Sequence, residues 1–232
     1  MALFERHDLR TCRGRVLVAG DVHGHFDALS HELDRIDFNE GKDRLVLLGD
    51  LINKGPGSHL ANGWARHLRV LGNHEAALRT MSAKDICRPQ GKLSWLKKVG
   101  THEERRRFIQ TLTDAPVMIE IHLPSGRRAG FVHAGVPYLD WHRAALVLEG
   151  RAGPQLDRAI HIATTSRTHA RLLVSGIPTK VEGIDHVFLG HMPRPDVQRI
   201  GRSTLCDTSR TTRPVRVIDV ERHMNGADVH EG

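Results

Sequence analysis

Aromatic residues are scarce in this 232-residue chain: six Phe, three Trp and one Tyr, 4% of the whole. So few rings, with no RNA- or DNA-binding motif among the arginines of the C-terminal third (Arg194, Arg199, Arg202, Arg210, Arg213, Arg216), disfavour a surface that stacks on bases. Cysteine is equally sparse. Three residues, Cys12, Cys87 and Cys206, show no paired spacing, which excludes a disulfide scaffold and suits free thiols in a reducing compartment. No apolar run approaches the length of a membrane span, and the opening MALFERHDLR lacks the apolar core of a signal peptide. These absences lead us to expect a soluble, cytoplasmic protein with no membrane partner. Internal repeats, low-complexity tracts and linkers are missing too. We therefore expect a single domain over 1–221 and a flexible polar tail over 222–232.

What is abundant is charge and histidine. The formal charge is +7 and there are 17 His. A basic surface favours anionic partners, phosphate compounds foremost. The apolar runs are short and share an ending. Val16–Ala19 runs into Gly20-Asp21-Val22-His23-Gly24. Arg44–Leu48 runs into Gly49-Asp50, then Leu51-Ile52-Asn53-Lys54-Gly55-Pro56-Gly57. Leu68–Leu71 runs into Gly72-Asn73-His74-Glu75, Ala129–Val132 into His133-Ala134-Gly135, and Ile184–Leu189 into Gly190-His191. Each reads as a buried strand that delivers Asp, Asn or His to its carboxyl end. In α/β sheets ligands gather outside those ends, so one polar cluster built from all five is the expectation.

Between them, Phe26, Leu29, Leu33 and Ile36 fall at helical spacing, predicting a helix over 25–38. Ser58 reads as the cap of a second helix reaching to about His67, and the strand–helix rhythm of the first 71 residues predicts parallel crossovers. Residues 76–100, broken by Pro89, Gly91 and Gly100, predict short helices or a flap. Thr101 to Glu104 reads as a capping box that opens a helix ending near Leu112. Pro124-Ser125-Gly126 predicts a hairpin between 117–122 and 129–132. Residues 136–180 read as mostly helical. Three β runs at 197–200, 203–206 and 215–220 lie close enough to suggest one antiparallel sheet.

Asp21, His23, Asp50, Asn73, His133 and His191 are a mixed oxygen and nitrogen donor set, suited to Mn²⁺, Fe, Zn or similar ions rather than to Ca²⁺ or a thiolate site. Six donors can hold two ions if one carboxylate is shared, and Asp50 is the natural bridge because its strand should lie between its two neighbours. Two such ions clamp a phosphoryl group and ionise a water that attacks phosphorus in line. His74 is the candidate general acid for the leaving oxygen. Lys54, four residues past Asp50, can reach phosphate oxygens. Glu75 reads as an ordinary charge at a helix N-terminus.

These blocks, over residues 16–191, resemble the calcineurin-like metallophosphoesterases, and within them the phosphoprotein phosphatase branch. That resemblance implies a four-layer α-β-β-α sandwich of two mixed sheets flanked by helices. It implies two divalent ions (Mn²⁺ first, with Fe, Zn, Co or Ni as alternatives) on the six residues just named, and His74 as the family's histidine. Gly49–Ser58 and Phe131–Pro137 are similar to the symmetrical diadenosine tetraphosphatases and their relatives. The implied substrates are dinucleoside polyphosphates, or nucleotide-capped RNA in some relatives. A serine/threonine phosphoprotein phosphatase is the alternative, and a basic nucleic-acid-binding scaffold comes third. Asn53 and Lys54 stand where the protein phosphatases carry Asp and Arg. A neutral amide does not stabilise a protonated His74 as a carboxylate would, and Lys lacks the bidentate fork. Arg143, Arg151, Arg158, Arg167 and Arg171 compete for the family's other phosphate-binding arginine, and we choose Arg167.

Overall fold

A computed structural model of the chain describes residues 2–150, 152–177 and 179–226. The expected strands form, and they lie in two sheets as the resemblance implied. The smaller contains β2 (Val16–Ala19), β3 (Arg44–Leu47), β4 (Leu68–Arg69) and β10 (Val217–Asp219), in the order β10-β2-β3-β4. β2, β3 and β4 are mutually parallel, with Val18 opposite Val46 and Leu47 opposite Arg69, and β3 does lie between β2 and β4. The larger contains β1 (Phe4–Asp8), β5 (Met118–His122), β6 (Arg128–Val132), β7 (His186–Leu189), β8 (Gln198–Ile200) and β9 (Ser203–Leu205), in the order β1-β5-β6-β7-β9-β8. β5 and β6 form the expected antiparallel hairpin, and β6, β7 and β9 run parallel.

Alternation along the strands shows why two sheets stack. Val16, Val18, Val46 and Leu48 face Ile119, Ile121, Phe131 and Phe188 in an inner core between the sheets. Their neighbours Leu17, Ala19, Leu45 and Leu47 face outward, against α1 (Phe26–Arg35) and α5 (His102–Thr113). On the far side Met118, Val132, Val187 and Leu189 pack under α6 (Trp141–Glu149), α7 (Pro154–Thr164) and α8 (Thr168–Val174). A strand covered on both faces is apolar at every position, hence the unbroken runs of the sequence. The result is four layers, helix–sheet–sheet–helix. Gly130 is required here: a Cβ would come within 2.4 Å of the Trp141 ring, whose Nε1 donates to buried Glu120 at 2.7 Å.

Thr101 and Glu104 make the reciprocal capping box, and Phe108, Ile109 and Leu112 are the buried face of α5. Residues 73–99 supply short pieces, α3 (Asn73–Leu78), α4 (Ala83–Cys87) and a 3₁₀ segment over Gly91–Val99.

Three expectations are corrected. Ser58 caps no helix: 58–67 holds only a 3₁₀ turn (Ser58–Leu60) and α2 (Ala61–Trp64), and Ser58 Oγ accepts the Asn53 N–H at 2.8 Å. The three late β runs do not form one sheet. β8 and β9 are an antiparallel pair on the larger sheet, whereas β10 pairs antiparallel with β2 on the smaller. The expected flexible tail does not begin at Arg222. Residues 220–224 form α9 (Val220–Met224), capped by Asp219, with His223 and Met224 buried. Residues 227–232 of that tail lie outside the described residues. Among the described residues no helix is long and apolar enough to cross a membrane.

Candidate metal centre

The five strand ends meet above the seam between the sheets. β2, β3 and β4 deliver Asp21, His23, Asp50, Asn73 and His74 from the smaller sheet. β6 and β7 deliver His133 and His191 from the larger. Hydrogen bonds stitch the ends together: His191 N–H donates to Asp21 Oδ1 across the seam at 2.9 Å, and within the smaller sheet's ends His74 N–H donates to Asp50 Oδ1 at 2.9 Å. His133 Nδ1 meets the Leu48 carbonyl at 2.7 Å. Gly190 and Gly72 admit the two carboxylates, because a Cβ on them would come within 2.4 Å of Asp21 Oδ1 and 2.3 Å of Asp50 Oδ1.

The loops are bent in an unusual way. His23, Asp50, Asn53, Lys54 and His191 all have φ between 47° and 68°, a left-handed conformation that non-glycine residues rarely adopt. Such strain persists where surroundings enforce it. Here His23 N–H donates to Asp50 O at 2.7 Å, and the Glu75 carboxylate accepts from Asp50, Leu51 and Ile52 N–H at 2.8, 2.8 and 3.2 Å. Glu75 is 3% exposed. It is the clamp of the Asp50 loop rather than the helix-end charge expected from the sequence. Nothing in the Gly-Asn-His-Glu run itself says which backbone it would meet.

The donor atoms point inward. His23 Nδ1 faces the Ile52 carbonyl at 3.0 Å, as His133 Nδ1 faces that of Leu48, so each ring donates from Nδ1 and keeps the Nε2 lone pair bare. His23 Nε2 lies 3.6 Å from both Asp21 Oδ2 and Asp50 Oδ2. His133 Nε2 lies 3.5 Å from Asp50 Oδ1 and 3.1 Å from Asn73 Oδ1. Two sets of donors fall within 4.8 Å of one another, His23–Asp50–His74 and Asp50–His133–His191, and Asp50 belongs to both. Burial pushes the pKa of His23 down to about 3 and those of His133 and His191 to about 4, so the rings are neutral. Burial raises the carboxyls of Asp21, Asp50 and Glu75, the last to about 8, helped at Asp21 by the neighbouring Asp207 and Asp50. Raised carboxyls mark negative charge buried without enough countercharge, and bare imidazole lone pairs converging on such carboxyls fit divalent cations. Lys54 Nζ bends into this space and donates to His23 Nε2.

The remaining residues sit around the rim. His74 Nε2 is 3.7 Å from Asp50 Oδ2, and its pKa is lowered by burial. Its Nδ1 meets Asn53 Nδ2 at 2.7 Å, and Asn53 Oδ1 accepts from Trp95 Nε1 at 2.8 Å. Arg167 is exposed at the N-cap of α8 and close enough to His191 to help lower its pKa. Of its competitors, Arg143 stacks over Tyr138 and Arg151 lies outside the described residues. Sequence reasoning missed Glu75, Trp95 and Asp207. Asp207 is a buried carboxylate at the end of β9, beside the carbonyl-lined slot that receives Gly20.

Comparison with known proteins decides the family, since the calcineurin-like phosphoesterase model matches residues 14–195. The chain belongs to the calcineurin-like phosphoesterases. This phosphoesterase is 33% identical over 123 residues to the symmetrical bis(5'-nucleosyl)-tetraphosphatase of Pseudomonas fluorescens, covering 51% of this chain and 42% of that protein. It is 36% identical over 124 residues to the protein of the same name from Shewanella sediminis, covering 51% and 43%. The matched stretch is thus less than half the length of these curated relatives. Among solved structures, one named provisionally as a diadenosine tetraphosphatase has a TM-score of 0.56 at 23% identity, over 90% of this chain and 89% of its own. A serine/threonine phosphatase from Saccharomyces cerevisiae gives 0.59 at 15% identity, over 88% and 70%. At these identities the likeness concerns the fold.

Proposed function

We propose that the protein is a phosphoesterase with two divalent cations, manganese first, that hydrolyses dinucleoside polyphosphates such as diadenosine tetraphosphate. The observation that carries the reading is Asp50 at the meeting point of five strand ends, with Oδ2 3.6 Å from His23 Nε2 and Oδ1 3.5 Å from His133 Nε2, so that one carboxylate faces imidazoles from both sheets. Asp21, His23, Asp50, Asn73, His133 and His191 would hold the ions, with Asp50 shared. When bound, such ions supply charge to phosphoryl oxygens and acidify water.

The chain's own residues do the rest. Lys54 Nζ, on the rim beside His23, swings onto a phosphate oxygen and neutralises developing charge. Arg167, exposed next to His191, takes another. His74 presents Nε2 to the leaving oxygen. A polyphosphate chain, with a negative charge on each phosphate, matches a +7 protein whose rim carries these cations. The names of the relatives support the dinucleotide class. Nucleotide-capped RNA presents the same anhydride. Free thiols at Cys12 and Cys87 accord with a cytoplasmic setting.

The test is a product analysis. Purified protein with Mn²⁺ is incubated with diadenosine tetraphosphate, and the products are resolved by ion-exchange chromatography. Two ADP per substrate are expected. AMP plus ATP, or turnover of phosphopeptides with no turnover of the dinucleotide, would overturn the reading.

A further inference from the structure

The hydrogen bond between Trp95 and Asn53 has a consequence for His74. An indole Nε1 is only ever a donor, so the Asn53 amide must turn its oxygen to Trp95, and at 2.8 Å it does. The amide nitrogen then faces His74 Nδ1 at 2.7 Å. That nitrogen is a donor, so Nδ1 must accept and carries no hydrogen. The ring's one hydrogen sits on Nε2, on the side of Asp50 and the cleft. Trp95 lies in the 3₁₀ segment, its ring half-buried and 5.7 Å from that of Phe108. It reaches Asn53 across 42 residues of chain. A carboxylate in place of Asn53 would accept from both partners whichever way it turned, and would put a hydrogen on His74 Nδ1 and favour the protonated ring.

We propose that Trp95 is a positioning residue: through the Asn53 amide it holds the His74 hydrogen on Nε2, which makes His74 a hydrogen-bond donor to leaving groups that depart as anions and suits the site to phosphoanhydrides over alkyl phosphate esters. This deepens the proposed function and rests on it. In the step, the oxygen of water forms the new P–O bond and its proton passes to solvent. The bond from phosphorus to the leaving oxygen breaks, and its electron pair goes with that oxygen. The hydrogen stays on Nε2 throughout, shared with the departing oxygen. A nucleoside phosphate is a weak base and leaves in this way. An alkoxide is a strong base and needs a full proton, which a neutral ring backed by an amide N–H does not give up.

The experiment has two readouts. ¹⁵N NMR of the Zn²⁺-reconstituted protein reports which nitrogen of His74 bears hydrogen, and steady-state kinetics with Mn²⁺ on p-nitrophenyl phosphate, whose leaving group is also a weak base, report the effect. Wild-type protein should show a bare, hydrogen-bonded Nδ1. Trp95→Phe keeps a ring against Phe108 but has no N–H. It should give mixed tautomers and lower kcat about tenfold with KM within about twofold. In an Asn53→Asp background the same Trp95→Phe change should cost less than about twofold, because a carboxylate needs no orienting. Asn53→Asp alone should raise turnover of an alkyl phosphate relative to p-nitrophenyl phosphate. A hydrogen on Nδ1 in the wild type, or equal penalties for Trp95→Phe in both backgrounds, would overturn the proposal. Absence of diadenosine tetraphosphate hydrolysis with p-nitrophenyl phosphate turnover intact would overturn the dinucleotide reading, while the NMR and the variant cycle would still decide the role of Trp95.

Discussion

Removal of the Glu75 carboxylate should unfold the centre from behind. Its two oxygens accept three backbone N–H groups, of Asp50, Leu51 and Ile52, in a region where none of these residues is more than 2% exposed. Glu75→Ala leaves all three without a partner. A buried donor stranded in this way costs about 1–3 kcal/mol. Water entering the vacated space recovers part of it, so a loss of about 3–6 kcal/mol is expected, a large share of the stability of an ordinary domain. For a chain of this length each kcal/mol moves Tm by about 2–4 °C, so Tm should fall by about 6–24 °C. Glu75→Gln keeps one oxygen, which can still accept from Leu51 and Ile52, but sets an NH₂ against the Asp50 N–H. Its loss should be intermediate, about 1–3 kcal/mol. Urea denaturation followed by circular dichroism measures both. Because the same clamp holds Asp50 at φ 50°, metal affinity should fall in the same order. Glu75→Ala within about 1 kcal/mol of wild type would refute the clamp.

Two further outcomes follow from particular contacts. Gly190→Ala places a Cβ 2.4 Å from Asp21 Oδ1 and disrupts the bond from His191 N–H, so Mn²⁺ affinity by calorimetry should drop by about 10-fold or more, and a wild-type isotherm would contradict the close approach. His186, hydrogen-bonded to Thr204 at 2.8 Å, is held down to about pKa 3 by burial, then by His223 and nearby arginines. Its folded pKa lies below the unfolded value of 6.5, so the unfolded chain binds the extra proton between them. Stability conferred by the neutral ring is therefore complete above pH 6.5 and is lost as pH falls towards 3, at up to about 1.4 kcal/mol per pH unit. Urea titrations from pH 7 to pH 4 should show a limb that His186→Asn flattens by about one proton, and an unchanged slope would count against it.

Much of this molecule was legible in its sequence because the information was local. A β2 that reads Val-Leu-Val-Ala between charged and glycine residues leaves little choice of structure, and Thr101 with Glu104 announces α5 from four residues. The convergence of Asp21, His23, Asp50, Asn73, His133 and His191 was legible for the same reason: each lies within a few residues of the end of a buried run, and Gly72 and Gly190 let the carboxylates of Asp50 and Asp21 approach. What was hidden depends on partners distant along the chain. β8, β9 and β10 are three residues each and carry no mark of which sheet they join. Ser58 has the chemistry of a cap, yet the left-handed turn at Asn53 brings a backbone N–H to it first. Glu75 and Trp95 look ordinary in sequence, and only the fold sets one under the Asp50 loop and the other against Asn53. The division into two stacked sheets came from resemblance alone, since strands buried on both faces give no alternation to count.

The central claim, that Asp50 joins two donor sets into one two-ion centre, is tested most directly by metal stoichiometry. Protein stripped with chelator, reloaded with Mn²⁺ and freed of excess should be analysed by elemental mass spectrometry, beside Asp50→Asn prepared in the same way. Two ions per chain in the wild type, with a marked deficit in the folded variant, is the result predicted. One ion or none in an active wild type, or two retained by Asp50→Asn, would contradict it.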